Sequence, residues 1–165
     1  MTFVTSVIKP DHHLDTFDCG NIQLNEWLVR DALRAQEHQI ARVTVWCHEN
    51  DNRVLAYHEI MPTSIRREDL TNRQRRGYSV VPGYLIAKLA VDKTIQGRKI
   101  GSSVLLQALE LIYDASVSVG GRLVVVDPAD EGAAAFYKYH GFILTAKMGR
   151  LALELSAVRQ LVGSG

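Results

Sequence analysis

A chain of 165 residues with 47% hydrophobic side chains and a net charge of +1 is long enough for one well-buried core and short for two ordinary domains, so a single domain over residues 1–165 is expected. The near-neutral charge points to no polyanionic partner by itself, the opening MTFVTSVIKPDHH lacks a signal-type apolar stretch, and no apolar run approaches the ~20 residues of a membrane span; a cytoplasmic protein without a membrane partner is expected. Cys19 and Cys47 have no further Cys or His at ligand spacing, which argues against a metal site or a disulfide framework.

Leu24, Trp27, Leu28, Ala32 and Ala35 recur at helical spacing behind Asn21, a residue type that caps helices. Residues 22–38 are therefore predicted as one amphipathic helix, with Arg30, Asp31 and Arg34 on its polar face. ARVTVWCHE and VLAYHEIM are β-rich and flank the turn triplet Asn50-Asp51-Asn52, which predicts an antiparallel hairpin. RREDLTNRQRR, from Arg66 to Arg76, holds five arginines and two acids, a net of +3 against +1 for the whole chain, and its IRREDL portion reads as a short helical turn. YLIAKLAV, Tyr84 to Val91, lies between Pro82-Gly83 and Asp92-Lys93 and suits a buried central strand. Ile100, Val104, Leu105, Ala108, Leu111, Ile112 and Ala115 mark a long amphipathic helix ending before Gly120-Gly121. RLVVVD is a strand, AAAFYKYH a helix closed by Gly141, and the tail reads as strands at 142–145 and 150–155 before a short helix. The fold class is α/β (α+β).

The chemistry is concentrated in the strand, loop and helix spelled LAVDKTIQGRKIGSSVLLQALE. A small-residue loop opening a helix presents backbone N–H groups at the positive end of the helix dipole, where a phosphate or pyrophosphate is the natural guest. Gln96 to Ser102 can do this. The spacing matches neither G-x-x-x-x-G-K-[ST] nor G-x-G-x-x-G, so Walker-loop and dinucleotide-fold readings drop out.

Leu89-Ala90-Val91-Asp92 followed by Gln96-Gly97-Arg98-Lys99-Ile100-Gly101 resembles the GNAT N-acetyltransferases, whose pyrophosphate loop reads roughly Q-x-x-G-x-G or Q-x-x-G-x-A. Lys99 departs from that pattern by standing where the family usually has the first motif glycine. If the position needs a left-handed backbone, a lysine there costs on the order of 1 to 2 kcal/mol, while its ammonium can contact phosphate. A second block, DPADEGAAAFYKYHGF, resembles the family's A-x-x-F-Y-x-x-x-G-F ending. A third, FDCGNIQLNEWLVRDALRAQ before ARVTV, resembles the opening of GNAT-type toxins of bacterial toxin-antitoxin modules.

The resemblance implies a GNAT fold, a central mixed, mostly antiparallel sheet flanked by helices, and acetyl-CoA as cosubstrate with no metal. It places Leu89, Ala90, Val91, Gln96, Gly97, Arg98, Lys99, Ile100, Gly101, Ser102 and Phe136 at the cofactor. It makes Tyr137 the catalytic residue near the thioester sulfur. The toxin subfamily further implies an aminoacyl-tRNA substrate acetylated on its α-amine, arrest of translation, and a ribbon-helix-helix antitoxin as partner; it is compatible with a homodimer. Arg66, Arg67, Arg73, Arg75 and Arg76 are the candidate substrate-binding residues, since clustered arginines suit phosphates. Two rivals stay open: a GNAT enzyme acetylating a small-molecule or protein amine, and a degenerate, non-catalytic acyl-CoA-binding module.

His12, His13, His48 and His58 accompany no nucleophile motif, which argues against a hydrolase triad. Glu59 lies in the strand where some acetyltransferases carry a general base, yet a carboxylate at a strand edge is expected to be solvated. His140 falls at a predicted helix C-terminus, where the dipole accounts for it. An α-amine with a reference pKa of about 7.7 to 8.0 is partly neutral at physiological pH, so direct transfer without a strong enzymic base is expected.

Overall fold

The computed structural model describes residues 2–162. Its elements in chain order are β1 (Phe3–Val7), α1 (Ile22–Arg30), α2 (Ala32–Glu37), β2 (Arg42–His48), β3 (Ala56–Arg66), α3 (Asn72–Arg75), β4 (Val80–Val91), α4 (Ile100–Val119), β5 (Leu123–Val126), α5 (Glu131–Tyr139), β6 (Ile143–Leu144), β7 (Leu151–Glu154) and α6 (Leu155–Val162). The strands are ordered β1-β2-β3-β4-β5-β7-β6. β4 and β5 pair in parallel, while the β1–β2, β2–β3, β5–β7 and β6–β7 pairs are antiparallel, the mixed and mostly antiparallel sheet expected. Two compact units divide the chain, residues up to 61 with 88–108, and residues 62–87 with those from 109 onward; β3, β4 and α4 contribute to both.

The first unit follows from period-two alternation. Val43, Val45 and Cys47 on β2, Tyr57 on β3 and Ala90 on β4 are buried in one cluster with Leu28 and Ala32 of the first two helices. Trp46, Ala56, Leu89 and Val91, at the intervening positions, pack with Val104 and Ile100 of α4. Each strand is thus covered on both faces. The single helix predicted over 22–38 is broken instead at Asp31, whose backbone (φ −124, ψ −23) leaves the helical region. Asn21 does cap α1, its side chain accepting from Leu24 N at 3.2 Å. Periodicity continues through the break because the Asp31 N–H still reaches Trp27 O at 2.9 Å, so the apolar face carries on and delivers Ala32 to the core.

In the second unit Ile65, Leu70, Val81, Leu123, Val125 and Ala152 form the core. Pro82-Gly83, read as a boundary, lies inside β4, which begins at Val80. Close backbone approach explains the glycine: a Cβ at Gly83 would stand 2.5 Å from the Leu123 carbonyl oxygen, the residue it pairs with on β5. The proline keeps its carbonyl in use, accepting from Arg122 N at 2.8 Å. α4 is apolar and long enough, by composition, to cross a membrane, but Val104, Leu105, Ala108, Leu109 and Ile112 are buried in the protein, as a core helix requires.

Candidate active site

The sequence-predicted residues distribute between the two units. Leu89, Ala90, Val91 and the 96–102 loop belong to the first; Arg66, Arg67, Arg73, Arg75, Arg76, Phe136 and Tyr137 belong to the second.

In the first unit β4 ends at Val91 and the chain turns at once. Asp92 caps a 3-10 turn over Lys93–Ile95, its carboxylate accepting from Thr94 N (2.9 Å), Thr94 Oγ1 (2.7 Å) and Asp18 N (2.9 Å). Burial opposes the charge on Asp92, but the N–H groups of Asp18 and Thr94 with the Thr94 hydroxyl outweigh it and hold the carboxyl below its ordinary range. Gln96 is extended, and its side-chain amide donates to Val91 O at 2.7 Å and to Cys19 O at 3.1 Å. Gly97 (φ +80) and Lys99 (φ +60) are both left-handed, so the chain winds tightly before α4 begins at Ile100. Lys99 therefore occupies the conformation that the glycine of the pattern would have supplied, at a cost of about 1 to 2 kcal/mol. Its carbonyl accepts from Ser103 N at 3.3 Å, starting the helix. The N–H groups of the first turn, from Ile100, have no acceptor inside an α-helix and face a loop carrying Arg98 and Lys99, both exposed. That donor set fits an anion such as a pyrophosphate.

In the second unit Asp130 caps α5 by accepting from Ala133 N at 2.8 Å. Tyr137, only 8% exposed, meets Phe136 and Phe142 edge-on at 5.2 and 5.3 Å between ring centroids. Burial pushes its phenol up to about 12, so the hydroxyl keeps its proton across the physiological range and can act as a donor. Gly141 (φ +98) follows the His140 C-cap, as the sequence pattern requires. His140 packs on Phe136 at 4.9 Å, and burial lowers its affinity for a proton.

The arginine segment is more ordered than a charge run suggests. Arg67–Asp69 form a 3-10 turn and Asn72–Arg75 the short α3, opened by a capping box between Thr71 and Gln74. Gln74 is buried and also donates to Leu144 O at 3.0 Å. It went unnoticed in the sequence, although T-x-x-Q is the signal that marks it. Arg66 lies 3.7 Å from Asp69, and Arg76 lies 4.0 Å from Glu154. Arg67 and Arg73 are exposed, and Arg75 is half-buried.

The expectation for Glu59 is corrected. It sits on the interior strand β3, 4% exposed, rather than solvated at an edge. Burial raises its proton affinity, opposed by the Lys88 ammonium at 3.4 Å from Oε1. Lys88 Nζ in turn lies 4.5 Å from the centroid of the Trp27 ring. Sequence reading missed this pair because Lys88 interrupts an otherwise apolar strand and its partner is 29 residues away. Cys19 and Cys47 are free thiols whose proton affinity burial raises, Cys47 up to about 11. Among the described residues, no group of three or more His, Cys, Asp or Glu is placed to hold a metal ion.

The GNAT acetyltransferase domain matches residues 41–144. A tRNA-acetylating toxin of Mycobacterium tuberculosis is 31% identical over 150 residues, 90% of this chain and 89% of the toxin. A probable toxin TacT of Sinorhizobium fredii is 26% identical, covering 92% of this chain and 90% of its own length. Among solved structures, a tyrosine-to-phenylalanine mutant of KacT superposes with a TM-score of 0.91 at 25% identity, covering 98% of this chain and 99% of KacT. AtaT complexed with acetyl-methionyl-tRNA(fMet) superposes at 0.89 and 24% identity, covering 98% and 99%. With the domain matching well over half of its length, and with the strand, loop and helix of that domain in place, this chain belongs to the GNAT acetyltransferases.

Proposed function

We propose that the chain acetylates the α-amine of aminoacyl-tRNA from acetyl-CoA and thereby blocks translation, as the toxin of a toxin-antitoxin pair. The observation that carries this reading is the 31% identity to the tRNA-acetylating toxin across nine-tenths of both chains; the tightly wound 96–102 loop supports it as the pyrophosphate site. The neutral amine attacks the thioester carbonyl, the C–N bond forms and the C–S bond breaks. Backbone donors about Leu89, Ala90 and Val91 stabilise the developing oxyanion. Tyr137 gives its phenolic proton to the departing thiolate, and the proton shed by the acylated amine restores the phenol, so no net proton is consumed. The acceptor amine titrates near 7.7 to 8.0, and no buried base is required to make it reactive.

On this reading the protein works in the cytoplasm, and its neutralising partner is an antitoxin with a ribbon-helix-helix DNA-binding end. Structures of AtaT bound to the C-terminus of the antitoxin AtaR, and of a KacTA–DNA complex, support an antitoxin partner; its ribbon-helix-helix end is part of the proposal. The test is a cell-free translation system supplied with acetyl-CoA. Added protein should arrest synthesis and leave N-acetylated aminoacyl-tRNA. Continued translation with acetylation of free polyamines or a protein N-terminus instead would replace the tRNA reading, and binding of CoA without turnover over any acceptor would replace the enzyme reading.

A further inference from the structure

The F-D-C-G turn that begins at Phe17 is bonded to the acyl-CoA loop at several points. Phe17 is buried and anchors the turn in the core of the first unit. Asp18 N donates to the Asp92 carboxylate at 2.9 Å, and Asp18 O accepts from Lys93 N at 2.9 Å. Lys93 Nζ lies 3.2 Å from Asp18 Oδ2. Asn25, on α1, closes the turn from the other side: its Oδ1 accepts from Cys19 N at 2.9 Å and its Nδ2 donates to Asp18 Oδ1 at 3.0 Å. Gln96, the residue immediately before left-handed Gly97, ties Cys19 O and Val91 O together through one amide nitrogen.

We propose that the 17–25 segment is a clasp that holds the 96–99 loop in its binding conformation before acetyl-CoA arrives, with Asn25 and Gln96 as positioning residues for the pyrophosphate. The proposal rests on the reading of that loop as the pyrophosphate site. A non-glycine residue in the left-handed region, here Lys99, persists where the surrounding structure over-determines the backbone. The loop itself is exposed from Gln96 to Lys99, so burial does not fix its backbone. The clasp does it instead, from a segment more than seventy residues away in sequence. A loop already wound leaves less ordering to be done on binding, which is worth affinity without any added contact to the ligand. The F-D-C-G and helix-opening motifs, whose use was not apparent from the sequence, thereby acquire one.

The test uses the full chain and titration calorimetry with CoA. Asn25→Ala and Gln96→Met each remove clasp hydrogen bonds at positions outside the buried core. Each should raise the Kd for CoA about tenfold, with the loss carried by a less favourable binding entropy. The double variant should be little weaker than either single one, since both act through the same turn. For Asn25→Ala, KM for acetyl-CoA should rise while kcat at saturation holds. Should Asn25→Ala fail to fold, Asn25→Asp keeps the acceptor for Cys19 N, loses the donor to Asp18 and supplies the same readout. Unchanged Kd in the clasp variants, or a fall in thermal stability with no change in Kd, overturns the clasp. Gly101→Val separates the two levels: if it abolishes CoA binding while the clasp variants bind normally, the clasp alone is wrong, and if it too binds normally, the loop is not the pyrophosphate site.

Discussion

The Nε2 of His58 donates to Oε1 of Gln107 at 3.2 Å. The direction is fixed because that oxygen can only accept and already takes the Trp46 indole N–H at 2.8 Å. His58 is therefore the neutral ring protonated at Nε2, and its Nδ1 lies buried with no hydrogen-bond partner among the described residues. Burial lowers the His58 pKa to about 4 from an ordinary 6.5, the Gln107 contact opposing only part of the shift. Above pH 6.5 the ring is neutral folded and unfolded. Between 6.5 and about 4 the unfolded chain binds a proton that the folded chain does not, so stability declines as pH falls through this window, by roughly 3 kcal/mol at the limit. His58→Leu should leave the Trp46–Gln107 bond in place, have little effect on stability at pH 7.5, and flatten the dependence of Tm on pH between 6.5 and 4. A variant with the parent's slope in thermal unfolding would assign that slope to other groups.

Lys99 combines two opposed effects that substitution can separate. Lys99→Gly relieves the left-handed strain of about 1 to 2 kcal/mol against a larger loss of unfolded-chain freedom of about 0.5 to 1 kcal/mol. It should therefore be slightly more stable than the parent, while losing the charge proposed to contact phosphate. Lys99→Ala loses the same charge and keeps the strain. Both should bind CoA several-fold more weakly at low salt, with the difference from the parent closing at high salt as screening removes the charge effect; only the glycine variant should melt higher. Equal CoA affinity for all three proteins across the salt series would show that the ammonium makes no contact with the ligand.

Much of this was legible in the sequence, and most of what was not depends on contacts that form only on folding. Asn21 capped a helix and Gly141 ended one as their types require, because caps depend on neighbours within four residues. The break at Asp31 was hidden because apolar periodicity runs on through it. Glu59 seemed solvated because nothing adjacent to it announces Lys88, and strand pairing brings that partner near only after folding. Gln96 carried a motif, but its bond to Cys19 O spans 77 residues. Loop, strand and helix were visible one by one; the tertiary hydrogen bonds that hold the site were not. Tyr137 is a further case, since an adjacent Phe-Tyr pair on a helix also reads as core packing, and Tyr137 is indeed buried.

Tyr137→Phe retains the ring and its edge-on contacts with Phe136 and Phe142 while deleting the hydroxyl. Turnover should fall about a hundredfold with CoA affinity nearly unchanged, the pattern of a lost transition-state interaction. With the phenol pushed up to about 12, the parent's rate should rise with pH as the acceptor amine loses its proton near 7.7 to 8.0 and show no decline from Tyr137 ionisation below about pH 11. Full activity in the phenylalanine variant, measured as thiol release from acetyl-CoA, would remove Tyr137 from the reaction.

The arginine segment supplies the last prediction, and the structure changes which residues test it best. Arg66 and Arg76 already face Asp69 and Glu154, and reversing Arg76 would set a second carboxylate against Glu154 and disturb the fold locally. Arg67 and Arg73 are exposed on a segment that Gln74 holds in place by its capping box and its bond to Leu144 O. If this surface contacts the tRNA backbone, neutralising both as Arg67→Gln and Arg73→Gln removes two phosphate contacts and releases fewer counterions. The slope of log Kd for tRNA against log salt should then become shallower by about 1 to 2. Acetyl-CoA affinity should not move, and kcat at saturating tRNA should hold, because the change affects docking and not the reacting atoms. Adding Arg75→Gln, half-buried on α3, should deepen the loss. An unaltered salt slope together with parental acetylation at subsaturating tRNA would mean that these guanidinium groups are an ordinary solvated face, and that the tRNA is held elsewhere.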